Sequence, residues 1–484
     1  MPLLVGIACL WLLGGSAHAQ QTLSRWSEPQ NLSKTSTQSN TPSIAVDPSG
    51  VVHVVWTEEL AADTAPIFYT RFADGAWSSP LDILLSPMGG VARDPEIRAD
   101  NDGYLHLVWR GCGGICYSQA YAPNAGSSQG WSSPANVLPS VASADAPDLI
   151  VGPKQRLDMV YATPLGSNSG IYYIHSPDRA DTWQEPVAVF TNPNAERMVS
   201  KPRLAVTSDN TLHVVWVESN YPDTFPPIGI RYARSEDGGR TWSEPLSLTD
   251  GPYDDPAIAI RNDQEIHVVW SGTANDRFKF HRWSADRGIT WGGAWRNTDL
   301  GGYQGRPALI VDSDQTLHWI QVGTVSKVGG VDALYYSAWT GHEWSPGEVL
   351  LKNTASGQNP GNVDASIGLG NQIHVVVANP LDVQRGKWQM DVFYTQKQTD
   401  ARVLPRQTLP LLATPLPIQP TATSAFAVQP TAPPLPRVTL EARLRDSQTR
   451  VDDGNPWYPL IVALAPAALV VIVAAAIASW RARS

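Results

Sequence analysis

The chain has 484 residues, 42% hydrophobic and 17% charged, with a net charge of −10 at pH 7. That length allows one large domain with appendages. The acidic balance excludes a nucleic-acid reader, which needs clustered Lys and Arg.

Residues 1–19 read as a secretory signal. Leu3 to Gly15 is nearly continuous apolar sequence, and Ala17-His18-Ala19 matches an A-x-A cleavage site. Export would leave Cys112 and Cys116 as the only cysteines of the mature chain. Export permits a disulfide across this short segment; two free thiols in a loop is the alternative. Two cysteines do not make a structural zinc site, and no cofactor or metal is expected.

Arg25–Ser33 (RWSEPQNLS) is a lone strand signal. After it one unit recurs seven times. A segment x-P-x-hydrophobic and a turn lead into hydrophobic-His-V-V-W. The copies run Pro42–Trp56, Pro95–Trp109, Pro147–Tyr161, Pro202–Trp216, Pro256–Trp270, Pro307–Gln321 and Asp364–Val377. Their shared rung is His53, His106, His213, His267, His318 and His374, with Asp158 in the third copy. Each unit carries four strand signals: the apolar strand A, the His-bearing strand B, an aromatic strand C and a W-S-x-P strand D. β-Branched and aromatic runs bounded by Gly, Asp, Asn and Pro support strands throughout. Four-stranded units at a spacing of about 50 residues imply propeller blades. The expected fold is therefore all-β, a seven-bladed propeller over residues 20–400. The seventh unit lacks its own W-S-x-P segment, so Arg25–Ser33 should complete it and close the ring, removing exposed sheet edges.

Residues 401–456 read as a stalk and connector. Positions 404–437 are rich in Pro, Thr and Ala, and 438–456 are charged. Residues 457–480 follow as one transmembrane helix. The apolar run Pro459–Ser479 lies between Trp457 and Trp480, and Arg481 and Arg483 come next. This predicts a single-pass membrane protein with the propeller outside and residues 481–484 cytoplasmic.

Three turns share one design. Ser235–Trp242 (SEDGGRTW) and Ser284–Trp291 (SADRGITW) are complete, and Ser176–Trp183 (SPDRADTW) has Ala180 in place of Gly. Asp178, Asp237 and Asp286 should bond their own backbone, Gly239 and Gly288 should supply φ > 0, and Trp183, Trp242 and Trp291 should fold back over the turn as lids. The pattern resembles the Asp-box, or BNR, repeat of the sialidase superfamily, where the box is a structural turn remote from the active site. That resemblance implies a sialidase-like propeller. The first repeat also resembles the opening F-R-I-P segment of sialidase domains, whose Arg binds the substrate carboxylate. Asn40 stands at that position here, and an amide has no charged fork for a carboxylate.

In a propeller the A–B and C–D turns share one face, and the D–A and B–C loops share the other, where ligands should meet the ring. The rung before x-P on that face is Asn40, Arg93, Asp145, Ser200, Asp254, Gly305 and Asn362, and should surround the channel mouth. The B–C loops add Glu58, Glu59, Asp63, Arg110, Glu218, Asp276 and Arg277. Candidate ligand-binding residues are Asn40, Arg93, Arg110, Asp145, Arg197, Asp254 and Arg277. By analogy with sialidases, Asp63 or Glu59 is the candidate acid/base, and Tyr253 or Tyr303 the candidate nucleophile, with Glu218 assisting. The His rung is not a metal site, because one His per blade cannot converge on one ion.

Three functions compete. The first is a surface propeller binding a glycan, polymer or partner protein without turnover. The second is a divergent exo-glycosidase, which predicts at least two of Arg93, Arg110, Arg197 and Arg277 converging in one pocket beside a carboxyl group. The third is a passive spacer of the envelope.

Overall fold

The computed structural model describes residues 25–411, apart from positions 62, 85–89, 139–140, 142, 223–225, 274–275, 303–304, 326–331, 354–359 and 385–386. The chain divides into two units, Met1–Leu412 and Ala413–Ser484, and only the first contains described residues. The signal segment, the apolar run at 459–479 and most of the proposed stalk lie outside them. No helix among the described residues is long and apolar enough to cross a membrane.

The described residues form antiparallel strands and three short 3-10 turns. The strands fall into seven four-stranded groups, the first with one extra short strand and the fifth and sixth joined through Leu300–Val325. The first strands are Gln38–Val46, Arg93–Ala99, Asp145–Val151, Arg197–Val206, Tyr253–Arg261, Ala308–Val311 and Val363–Gly368. Each packs against the first strand of the next group, and the seventh packs against the first. The result is a propeller-like ring.

The seventh group is completed by the other end of the chain. Gln30 lies opposite Tyr394 and Asn31 opposite Phe393, and the Ser27 amide donates to Gln396 O at 2.9 Å. The expected closure is therefore present.

Two repeated contacts explain the residues that made the repeat visible. The first is the buried rung. The Nδ1 atoms of His53, His106, His213, His318 and His374 lie 2.7–2.9 Å from the hydroxyls of Tyr69, Tyr117, Tyr232, Tyr336 and Tyr394. In three groups the other ring nitrogen meets the A–B turn, at Asp47, Asp100 and Asp312. The third group keeps the link by letting Tyr173 donate to Asp158, and the fifth replaces Tyr with His281. The ring joins turn to strand C inside each sheet. Burial holds His213 at about 3 and His374 at about 4, so these imidazoles stay neutral in ordinary buffers.

The second contact lies between groups. Trp291 folds back on its own turn as expected, its Nε1 donating to Gly288 O at 3.3 Å, but the strand-D Trp also serves a neighbour. It packs edge-on against the strand-C aromatic of the preceding group: Trp131 on Tyr69, Trp183 on Tyr117, Trp242 on Tyr173, Trp291 on Tyr232 and Trp344 on His281. Trp77 meets Tyr394, and Trp26 meets Tyr336. The cycle is complete only because the N-terminal strand stands in the seventh group. Ring edges meeting ring faces in this way are each worth roughly 1 kcal/mol beyond burial.

The Asp boxes behave as structural turns. Asp237 accepts from Ser235 Oγ, the Arg240 and Thr241 amides and Thr241 Oγ1, and Ser235 Oγ accepts from Gly239 N at 2.8 Å. Asp286 repeats the pattern, and Asp178 repeats most of it. The Thr241 and Thr290 bonds hold the Asp237 and Asp286 carboxyls at about 2. Gly239 has φ 94 and Gly288 has φ 79. A Cβ at either would meet Tyr173 or Tyr232 within 2.0 Å. Ala180 keeps the left-handed backbone, with φ 68.

Residues 401–411 belong to the ring, not to the stalk where the sequence places them. Arg402 meets Ser313 and Asp314, the Leu404 amide donates to Leu369 O, the Gln407 amide donates to Pro48 O, and Tyr121 donates to Pro410 O. The segment crosses the A–B turns of the sixth, seventh, first and second groups. It closes a cavity of about 500 Å³ on that face.

Candidate functional site

The expected mouth rung stands beside an irregularity that the sequence does not show. In five groups a β-bulge interrupts strand A around the x-P pair. The residue before Pro is left-handed there: Thr41, Asp94, Ala146, Lys201 and Asp255 have φ between 48 and 52. The extra residue re-aims the strand. Asn40, Arg93, Asp145, Ser200 and Asp254 consequently pair with strand B. The residues just after Pro face the channel.

The channel holds a buried charge network that sequence reasoning missed. Arg98 meets Glu96 at 2.6 Å and Asp364 at 3.5 Å, and Arg306 bonds Glu96. Asp148 Oδ1 stands 3.9–4.0 Å from Arg98, Arg203 and Arg306. Asp364 also accepts from Ser43 Oγ and the Ile44 amide. The three guanidiniums, with Asp148 and Asp364, line a space of about 210 Å³. Burial raises the Glu96 carboxyl, but Arg306 and Arg98 outweigh it and hold it at about 2. Burial and neighbouring Glu96 raise Asp148. The network is self-compensated and leaves little unspent charge for a ligand.

The candidate site lies off the axis, between the second and third groups, on the loop face. Arg93 and Arg110 are Cα partners across adjacent strands. Both line an open cavity of about 610 Å³ with Asp145, Leu165 and the turn Gly111–Gly114. Arg110 Nη1 is 3.2 Å from Asp145 Oδ1, and its Nε is buried without a hydrogen-bond partner. Arg93 is exposed, and no carboxylate among the described residues lies within 4.0 Å of it. Like charges directly opposite on a ladder repel, so this pair favours an anion. A disulfide joins Cys112 to Cys116 across the hairpin that follows Arg110, and Asn136 holds the turn through Cys112 O at 3.1 Å. The left-handed backbone of Cys112 and Gly113 bends the chain there. Asp94 stands between this cavity and the channel network, and burial raises its carboxyl.

Three of the seven expected ligand residues, Arg93, Arg110 and Asp145, thus line one cavity. The others do not join it. Asn40 donates to Glu59 at 3.0 Å, and Arg197 faces Glu218 at 3.5 Å. Asp254 holds Lys201 at 2.8 Å. Arg277 is in the loop before Phe278–Ser284 and does not line the cavity.

The expected catalytic set is dispersed. Glu59, at the end of strand Val52–Glu59, and Asp63, on the loop that follows it, are both exposed. The buried acid there is Glu58, which accepts from Thr35, Thr37, Ser39 and Trp56. Glu218 is bonded by Arg231 at 2.9 Å. Tyr253 packs edge-on against Phe280 and points its hydroxyl at Asp276, not at Glu218. Tyr303 lies outside the described residues.

No protein-family model matches the sequence, and no curated protein sequence matches it. Solved structures do match in fold. A protein of unknown function from Dyadobacter fermentans is 13% identical over 78% of this chain and 99% of its own, with a TM-score of 0.50. A polysaccharide lyase, an ulvan lyase bound to a GlcA(1-4)Rha3S saccharide, is 12% identical over 74% and 93%, with a TM-score of 0.52. A Streptococcus pneumoniae sialidase also aligns, at 13% identity over 77% and 71%, with a TM-score of 0.44. The class defined by fold and site is a propeller-like all-β protein with an open cavity on its loop face, lined by two arginines and an aspartate.

Proposed function

We propose that this chain is a sialidase-like, seven-bladed propeller, anchored at the cell surface, that binds a glycan or surface partner without classical sialidase chemistry. The carrying observation is the pair Arg93–Arg110, set opposite each other at an open cavity while Glu59, Asp63, Glu218 and Tyr253 stand elsewhere or are engaged. Ligand sites are concave, with a few convergent polar groups, and a guanidinium fork suits carboxylate or sulfate. The saccharide bound by the ulvan lyase supports a carbohydrate ligand for a shared fold. The Asp boxes support the superfamily reading, and Asn40 argues against its chemistry. The exported, stalked and membrane-anchored arrangement rests on the signal, the Pro-rich segment and the apolar run.

The second reading is a divergent exo-glycosidase. It is favoured by two of the expected arginines meeting beside one carboxyl group, Asp145. A glycan array probed with the ectodomain tests the proposal, with retention on acidic glycans lost in Arg93→Ala. Release of fluorophore from any glycoside, abolished by Asp145→Asn, would replace it with the second reading.

A further inference from the structure

Resting on the same cavity, we propose that Asp145 is its specificity-determining residue, turning an arginine pair that would take any anion into a site for acidic sugars with a hydroxyl beside the acid group. Arg93 and Arg110 occupy opposed positions on one ladder. A single carboxylate, Asp145, reaches them from the third group, and reaches only Arg110, at 3.2 Å. It is not free to swing away. Its Oδ1 also accepts the Ala146 amide at 2.8 Å, and Ala146 is the left-handed residue of the bulge. Asp145 therefore stays in the cavity when a ligand enters.

A bare anion approaching Arg110 must come close to this fixed negative charge, which offsets much of the attraction. An anion with an adjacent hydroxyl meets a different balance. Its acid group takes the guanidiniums, and its hydroxyl donates to Asp145, a charge-assisted bond about twice as strong as a neutral one. A uronic acid has this layout, with a hydroxyl on C4, next to the ring carbon C5 that bears its carboxylate. The other walls fit a sugar. Pro164 and Leu165 offer apolar surface, and at Gly113 the space a Cβ would take is open, so a ring can approach the backbone.

The test uses two probes, inorganic sulfate and methyl glucuronide, titrated by thermal shift at constant ionic strength. The intact chain should bind the glucuronide about tenfold more tightly than sulfate. Asp145→Asn, whose amide oxygen still accepts from Ala146, should bind sulfate about tenfold more tightly than the parent and lose its preference. Asp145→Ser should shift in the same direction. An unchanged sulfate affinity, or an unchanged ratio of the two probes, in both folded variants would overturn the proposal. The sulfate gain requires only two guanidiniums and one removed charge. It therefore stands apart from the glycan reading, which fails if Arg93→Ala and Arg110→Ala leave glycan retention intact.

Discussion

Two sets of arginines differ in what surrounds them. Arg98, Arg203 and Arg306 face Glu96, Asp148 and Asp364 in the channel, and charge is matched by charge. Of the pair Arg93 and Arg110, Arg110 meets Asp145 at 3.2 Å, and Arg93 meets no carboxylate within 4.0 Å among the described residues. Arg93 and Arg98 even stand on one strand, either side of the bulge at Asp94. The lesson is that an arginine's role is set by the carboxylates brought to it. A matched set holds the ring together, and an unmatched pair at an open cavity is available to a ligand.

Unmatching the channel set should have the largest effect. Glu96→Gln leaves Arg98 and Arg306 short of a buried partner and should cost about 3–5 kcal/mol in urea unfolding. The pH profile gives a second readout. The Glu96 carboxyl is depressed from 4.5 to about 2, so its stabilisation is complete above pH 4.5 and lost as pH falls towards 2. The variant should lack that limb. A stability loss below about 1 kcal/mol would break the comparison.

Lys279 supplies a buried cation with no carboxylate bonded to it. It is 1% exposed, and its Nζ donates to Ser271 Oγ at 2.8 Å. Burial lowers it from 10.5 to about 8, against a weaker upward pull from Asp255. The unfolded chain then binds this proton more tightly than the fold does. The penalty is complete below pH 8 and fades as pH rises to 10.5. Lys279→Met should therefore be more stable than the parent by about 3 kcal/mol at pH 7, with the gap closing between pH 8 and 10.5. Parallel unfolding curves across that range would sharpen or refute the point.

Arg93→Ala should change least. Its side chain is exposed and opposes a like charge, so stability should move by no more than about 0.5 kcal/mol, if anything upward. A larger loss would place Arg93 with the structural set.

The repeat made most of the fold legible. His, Tyr and Trp recur because each unit must join turn to strand C and strand C to the next group's Trp, so the spacing records a packing rule. Trp26 was legible for the same reason, being the missing member of a countable set. The Trp contacts between groups were missed because a one-dimensional pattern shows which residue recurs and not which neighbour it serves. The bulge was illegible. Thr41, Asp94, Ala146, Lys201 and Asp255 share no side-chain chemistry, only a backbone conformation. Missing it hid the channel network. The strap 401–411 was hidden by composition, since Pro-rich sequence reads as an extended spacer even where turns bind it.

By itself the sequence determined the repeating sheet, the seven copies of its unit, the borrowed closing strand and the turn chemistry of the Asp boxes. These follow from local propensity and periodicity, which act within a few residues. Only the tertiary structure decided which charges meet. Whether an arginine 50 residues from a carboxylate is paired depends on strand register and bulge geometry, and a one-residue slip sends a side chain to the other face.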